Sequence, residues 1–217
     1  MIRLENVSKY YPTRFGRNYV LKDVDVTLPM DKSIGILGIN GAGKSTLLRL
    51  LGGMDSPNKG RIKRECRVSW PLALNGGYQG SMTGRENCRF ICRIHGITQP
   101  SRIEQFVQDF SELGKVFDLP VKTYSSGMRS RFGFAMSMAF DFDVYLIDEI
   151  ISVGDKRFRE KCKEVFNEKR QNSRVILVSH NMETLSQHCD SGIVLHGGQF
   201  MQFDKIEDAI TRHKELC

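Results

Sequence analysis

Apolar and polar residues alternate at Val24, Val26 and Leu28, with Asp25 and Thr27 between them, so this stretch reads as a half-buried strand and strand pairs should open the fold. The next apolar run, Ile34 to Leu37, barely alternates and is too short for a helix. From Lys44 to Leu51 the leucines at 47, 48, 50 and 51 follow helical spacing, which predicts a strand, a glycine loop and a helix in succession. Val144 to Ile147 and Val175 to Val178 are short, continuous and rich in β-branched residues, as strands buried on both faces of a parallel sheet are. An α/β core is expected.

Between Lys59 and Leu119 the periodicity breaks up and glycine and arginine become frequent. A turn is expected at Asn75-Gly76-Gly77, and helices from Arg85 to His95 and from Ser101 to Leu113. The pattern assigns residues 80–140 to a helical subdomain, set into a core of residues 1–79 and 141–217. Toward the end, Ile193-Val194-Leu195 and Gln199-Phe200-Met201 flank Gly197-Gly198, a hairpin signal, and a polar helix from Ile206 to Leu216 follows.

The 217 residues are 40% hydrophobic and 26% charged, an ordinary globular balance. Every apolar run is far short of the ~20 residues needed to cross a bilayer. Met1-Ile2-Arg3-Leu4-Glu5 lacks the basic and apolar segments of a secretion signal, so the chain is expected to stay in the cytoplasm. The six cysteines are scattered without a C-x-x-C pair and read as reduced thiols. A net charge of +7 suits nucleic acid, an anionic membrane surface or an anionic ligand, and does not choose among them.

The loop between the short strand and the leucine-rich helix does choose. Gly38-Ile39-Asn40-Gly41-Ala42-Gly43-Lys44-Ser45 fits G-x-x-x-x-G-K-[ST] at every fixed position, in the required context. The glycines let successive N–H groups curl around phosphates, and the helix that follows adds its positive end. Asn40, Gly41, Ala42 and Gly43 form the cradle with Thr46 beside it; Lys44 is assigned to the β- and γ-phosphates of ATP and Ser45 to Mg²⁺. A second acidic element lies where Val144 to Ile147 ends in Asp148-Glu149, at the C-terminal end of a buried strand, where α/β ligand sites form. Asp148 is assigned to Mg²⁺ and Glu149 to general-base activation of the attacking water.

With these motifs in place the chain resembles the nucleotide-binding subunit of an ABC transporter, from Met1 nearly to its C-terminus. Tyr124-Ser125-Ser126-Gly127-Met128 occupies the place of the family's Leu-Ser-Gly-Gly-Gln signature, ahead of a helix with Phe132, Ala135, Met136, Ala139 and Phe140 on one face. The resemblance implies a P-loop NTPase of ABC type: a RecA-like parallel-sheet core, an antiparallel β subdomain and a helical subdomain. It also implies a head-to-tail homodimer in which Ser125, Ser126 and Gly127 contact ATP held by the opposite subunit. Asp155 takes the D-loop aspartate position, although Ser152-Val153-Gly154-Asp155 replaces the usual Ser-Ala-Leu-Asp, and His180 matches the switch histidine. The adenine platform is assigned to Tyr11, with Tyr10 and Tyr19 as rivals. Gln79 is either the sensor of the γ-phosphate and Mg²⁺ or part of a loop that only grips the membrane partner.

The Tyr-Ser-Ser-Gly-Met signature, Ser69-Trp70-Pro71-Leu72-Ala73 and Glu149-Ile150-Ile151-Ser152-Val153-Gly154-Asp155 resemble ATPases that export polysaccharide, bacterial capsule exporters above all. Such a likeness implies a lipid-linked capsular polysaccharide as cargo and a separate polytopic permease, in two copies, at the cytoplasmic side of the inner membrane. Teichoic-acid and O-antigen exporters are the neighbouring alternatives. A soluble ABC-type ATPase acting on nucleic acid or the ribosome is the rival from another class, and a nucleic-acid partner is not expected, because one phosphate loop and no heptad run are present.

Overall fold

Ile2–Thr13 (β1) and Gly16–Leu28 (β2) bury Ile2, Leu4, Leu21, Val24 and Leu28, and the two strands pair antiparallel with Leu4 opposite Val26 and with register shifts between Leu4 and Tyr10. Ile34–Leu37 (β3) is buried at all four positions and leads through the glycine loop into Lys44–Leu51 (α1). Lys59–Arg64 (β4) then pairs antiparallel with the free side of β1, giving a three-stranded sheet in the order β2-β1-β4. These coordinates are a computed structural model, which describes residues 1–71, 78–148 and 155–217. The expected Asn75-Gly76-Gly77 turn and Glu149 lie outside the described residues.

The chain divides into two units. Met1–Pro71, Phe142–Ile150 and Asn172–Cys217 make a sheet unit; Leu72–Asp141 and Ile151–Gln171 make a helical unit. In the helical unit, Gly84–Ile94 (α2) begins on a reciprocal cap in which Thr83 Oγ1 accepts from the Glu86 N–H and Glu86 Oε2 accepts from the Thr83 N–H. Ser101–Ser111 (α3), Ser126–Met138 (α4) and Lys156–Arg170 (α5) follow. Aromatic rings fill their centre: Phe110 meets Phe134 at 5.8 Å and Phe158 at 5.6 Å, and Phe132 meets Tyr124 at 5.9 Å. The buried carboxylate of Glu104 joins α3 to α2 by accepting from Arg85 and Arg89.

Back in the sheet unit, Val144–Asp148 (β5), Arg174–Val178 (β6) and Ser191–His196 (β7) run parallel to β3, while Gln199–Phe203 (β8) returns antiparallel through Gly197-Gly198. The order is β5-β6-β3-β7-β8. Met182–His188 (α6) and Ile206–Leu216 (α7) complete the unit. Ile34 and Ile36 pack with Leu47, Leu48, Leu50 and Leu51 of α1 and with the inner residues of β1 and β2, each fully buried side chain contributing about 1.5–3 kcal/mol. On the opposite face a Cβ at Gly35 would sit 2.7 Å from Ile206 Cδ1, so α6 and α7 cover the sheet at close range. Both faces of the parallel sheet are thus buried, as its continuous apolar strands require.

Candidate functional site

β6 lies between β5 and β3, so three chain segments emerge side by side at the C-terminal ends of these strands: Asp148 paired with Val178, the turn Ser179-His180, and the glycine loop after Leu37. This is the edge of an open α/β sheet at which ligands bind.

The loop closes on α1 through Gly43, which takes φ 101°. A Cβ there would lie 2.1 Å from Val20 Cγ1, so the position has room and backbone freedom only for glycine. The Ala42 N–H donates to Ile39 O at 3.1 Å, and no acidic residue stands in the first turn of α1 to neutralise its positive end. Lys44 is buried, and its Nζ donates to Gly38 O at 2.7 Å and Ile39 O at 3.1 Å. A half-positive helix end, a curled run of amides and a buried ammonium form a cradle for a chain of phosphates. Ser45 and Asp148 add hard oxygen donors at the same edge. Among the described residues no group of three or more His, Cys, Asp or Glu is placed to hold a metal ion.

The three tyrosine candidates separate cleanly. Tyr10 and Tyr19 face each other across β1 and β2 with ring centroids 5.2 Å apart, and the Arg17 guanidinium lies 4.6 Å from the Tyr10 ring. Tyr11 points the other way, stays 39% exposed, and brings its Oη to 3.4 Å from Thr46 Oγ1 in the first turn of α1. Its ring therefore stands beside the cradle.

Gln79, Ser125, Ser126, Gly127 and Asp155 belong to the helical unit. Asn87, fully buried on α2, grips Gln79 by both backbone groups: Oδ1 accepts from the Gln79 N–H at 2.6 Å and Nδ2 donates to Gln79 O at 3.0 Å. Ser125 caps α4 by accepting from the Met128 N–H at 3.2 Å, which leaves its hydroxyl proton to donate outward. Ser126 and Gly127 are exposed in the first turn, and a Cβ on Gly127 would meet nothing within 4 Å. Asp155 caps α5, and the Phe158 N–H, then the neighbouring Arg131, hold its carboxyl below the usual carboxylate range.

Three contributors were not legible as site residues in the sequence. Asn87 anchors Gln79 from eight positions away. Arg49 sits one turn past Thr46 and reaches both Thr46 and Tyr11. His213, on α7, has its imidazole held below the ordinary value by burial first and then by the charges of Lys44 and His180. A polar residue inside a leucine-rich or charged helix gives no local signal of such a place.

A family model for ABC transporters matches residues 21–152. The capsule polysaccharide export ATP-binding protein CtrD of Neisseria meningitidis serogroup B is 49% identical over 216 residues, covering 100% of both chains. A polysialic acid transport ATP-binding protein, KpsT of Escherichia coli, is 47% identical over 216 residues, covering 99% of this chain and 96% of that protein. Among solved structures, the dimeric post-hydrolysis state of the ATP-binding cassette MJ0796, bound to ADP and Pi, superposes with a TM-score of 0.74 at 20% identity over 95% of this chain and 99% of that one, a likeness of fold.

Proposed function

The chain belongs to the ABC transporter family, and we propose that it is the ATP-hydrolysing subunit that powers export of a lipid-linked capsular polysaccharide. It works as a head-to-tail homodimer at the cytoplasmic side of the bacterial inner membrane, beneath two copies of a polytopic permease. What carries this reading is the full-length similarity, at 47% and 49% identity, to ATP-binding proteins of polysaccharide transport, joined to a cradle that keeps its lysine, serine and aspartate. No described helix is long and apolar enough to cross a membrane, so the conducting path falls to the permease.

In this reading Tyr11 stacks on the adenine, the amides from Gly38 to Gly43 hold the phosphates, and Lys44 fixes the β- and γ-phosphate oxygens. Ser45, Asp148 and Gln79 are the residues that would hold magnesium, which would supply neutralising charge for the phosphates. Glu149 takes the proton of the attacking water, and His180 holds the γ-phosphate from the end of β6. Ser125, Ser126 and Gly127 of one subunit close the nucleotide of the other, and Asp155 sits at the same seam. The shared site converts ATP binding into closure of the dimer, and hydrolysis releases it.

Replacement of the chromosomal copy by Lys44→Ala tests the function. Surface polysaccharide should disappear while the polymer accumulates inside the cell. Normal surface polysaccharide in that strain would overturn the reading.

A further inference from the structure

Three polar atoms meet where β1 crosses the first turn of α1. Tyr11 Oη lies 3.4 Å from Thr46 Oγ1, Arg49 Nη2 lies 3.3 Å from Thr46 Oγ1, and the same Nη2 lies 3.5 Å from Tyr11 Oη. Thr46 and Arg49 are three residues apart on α1 and so share a face, the one Tyr11 overhangs. Arg49 Nε is the only side-chain nitrogen or oxygen among the described residues that is buried without a hydrogen-bond partner. A buried guanidinium nitrogen left unpaired is destabilising, because it has lost its water without gaining an acceptor. Packing alone would be served better by leucine, as at positions 47, 48, 50 and 51 of the same helix.

Donor and acceptor chemistry gives the cluster a direction. Arginine only donates, so both oxygens turn a lone pair toward Nη2. A single proton bridges the two hydroxyls. If Tyr11 supplies it, the Thr46 oxygen has accepted twice and its own proton is left to donate outside the cluster, to a ligand in the phosphate cradle that ends at Gly43. The cation favours this arrangement by making the phenol a better donor.

We propose that Arg49 is a positioning residue for the nucleotide: it clamps Tyr11 over the cradle and orients the Thr46 hydroxyl as a donor to the nucleotide. This rests on the reading of Tyr11 as the base platform. It acts at the base and the proximal phosphate, away from the γ-phosphate, so ATP and ADP should feel its loss alike.

Equilibrium binding of ATP and ADP to the purified full-length chain tests it without turnover. Arg49→Met keeps the packed stem and removes the guanidinium; it should weaken both nucleotides about fivefold to tenfold, while Arg49→Lys restores part of the loss. In a Tyr11→Phe background Arg49→Met should cost less than in the parent, because the shared hydroxyl has already gone. Tyr11→Ala separates the two readings. If it leaves affinity unchanged, the platform assignment fails and takes the clamp with it. If it weakens binding and Arg49→Met does not, the platform stands and the clamp is overturned; selective loss of ATP over ADP overturns it too. Should Arg49→Met not fold, Tyr11→Phe decides alone, and unchanged affinity overturns the proposal.

Discussion

Asp155 Oδ2 accepts from Arg131 Nη2 at 2.9 Å while its Oδ1 accepts from the Phe158 N–H at 2.9 Å. One carboxylate thus joins the start of α5 to α4, whose first turn carries Ser126 and Gly127. Arg131 is held in turn by Glu112 at 3.3 Å and lies 4.7 Å from the Phe158 ring. Arg131→Met should release Asp155 from α4 and let its carboxyl titrate at a higher pH, read by carbon NMR of the side chain. Turnover should fall about fivefold, the equivalent of one partly exposed charged hydrogen bond, while ATP affinity of the isolated chain stays unchanged. Unaltered turnover would count against a role for this link.

Glu104 is 5% exposed and accepts from Arg85 at 3.0 Å and Arg89 at 2.8 Å. Burial raises its carboxyl, but the two guanidinium groups outweigh it and the net shift is downward from 4.5. A depressed carboxylate stabilises the fold above its unfolded value, and the contribution is lost as pH falls through the folded value. Glu104→Gln should therefore destabilise the protein by on the order of 2 kcal/mol at neutral pH, with the gap closing in acid. Urea unfolding at a series of pH values checks this, and a pH-independent gap would contradict it.

Two loop glycines should respond differently to alanine. Gly43, at φ 101°, has no room for a Cβ, whereas Gly41, at φ 83°, has open space and only the backbone penalty. Gly41→Ala should cost about 1–2 kcal/mol, and Gly43→Ala a further ~1–3 kcal/mol from overpacking against Val20. Thermal unfolding of both variants gives the comparison. Equal losses would mean that the Val20 contact does not constrain the loop.

His213 titrates below its ordinary value of 6.5, through burial first and then Lys44 and His180. Neutral His213 is favoured in the fold, so stability falls as pH drops below 6.5 toward the depressed value. Lys44→Met should move the His213 ring titration upward, as proton NMR of the imidazole would record. A titration that does not move would separate α7 from the cradle.

Much of this was legible because its signals are local. The phosphate loop is contiguous, the strands β3, β5 and β6 are unbroken apolar runs, and α1 and α7 run over the residues that periodicity predicts. β4 was hidden because, as an edge strand with a charged outer surface, it carries Ile62 as its lone apolar residue. α5 buries only Phe158 and Cys162, too little to set a helical period. The surroundings of Tyr10, Tyr11 and Tyr19 depend on cross-strand register, which puts Tyr10 opposite Tyr19 and Tyr11 opposite Asn18. Arg49, Asn87 and His213 acquire their places from tertiary contacts alone.

Sedimentation of Glu149→Gln with ATP tests the shared site most directly. The variant should bind ATP, hydrolyse almost none, and sediment at twice the mass of the chain; adding Gly127→Asp to the same chain should preserve binding and leave a monomer. A Glu149→Gln chain that stays monomeric at saturating ATP, or one that dimerises equally well with Gly127→Asp, would contradict a site completed by the signature of a second subunit.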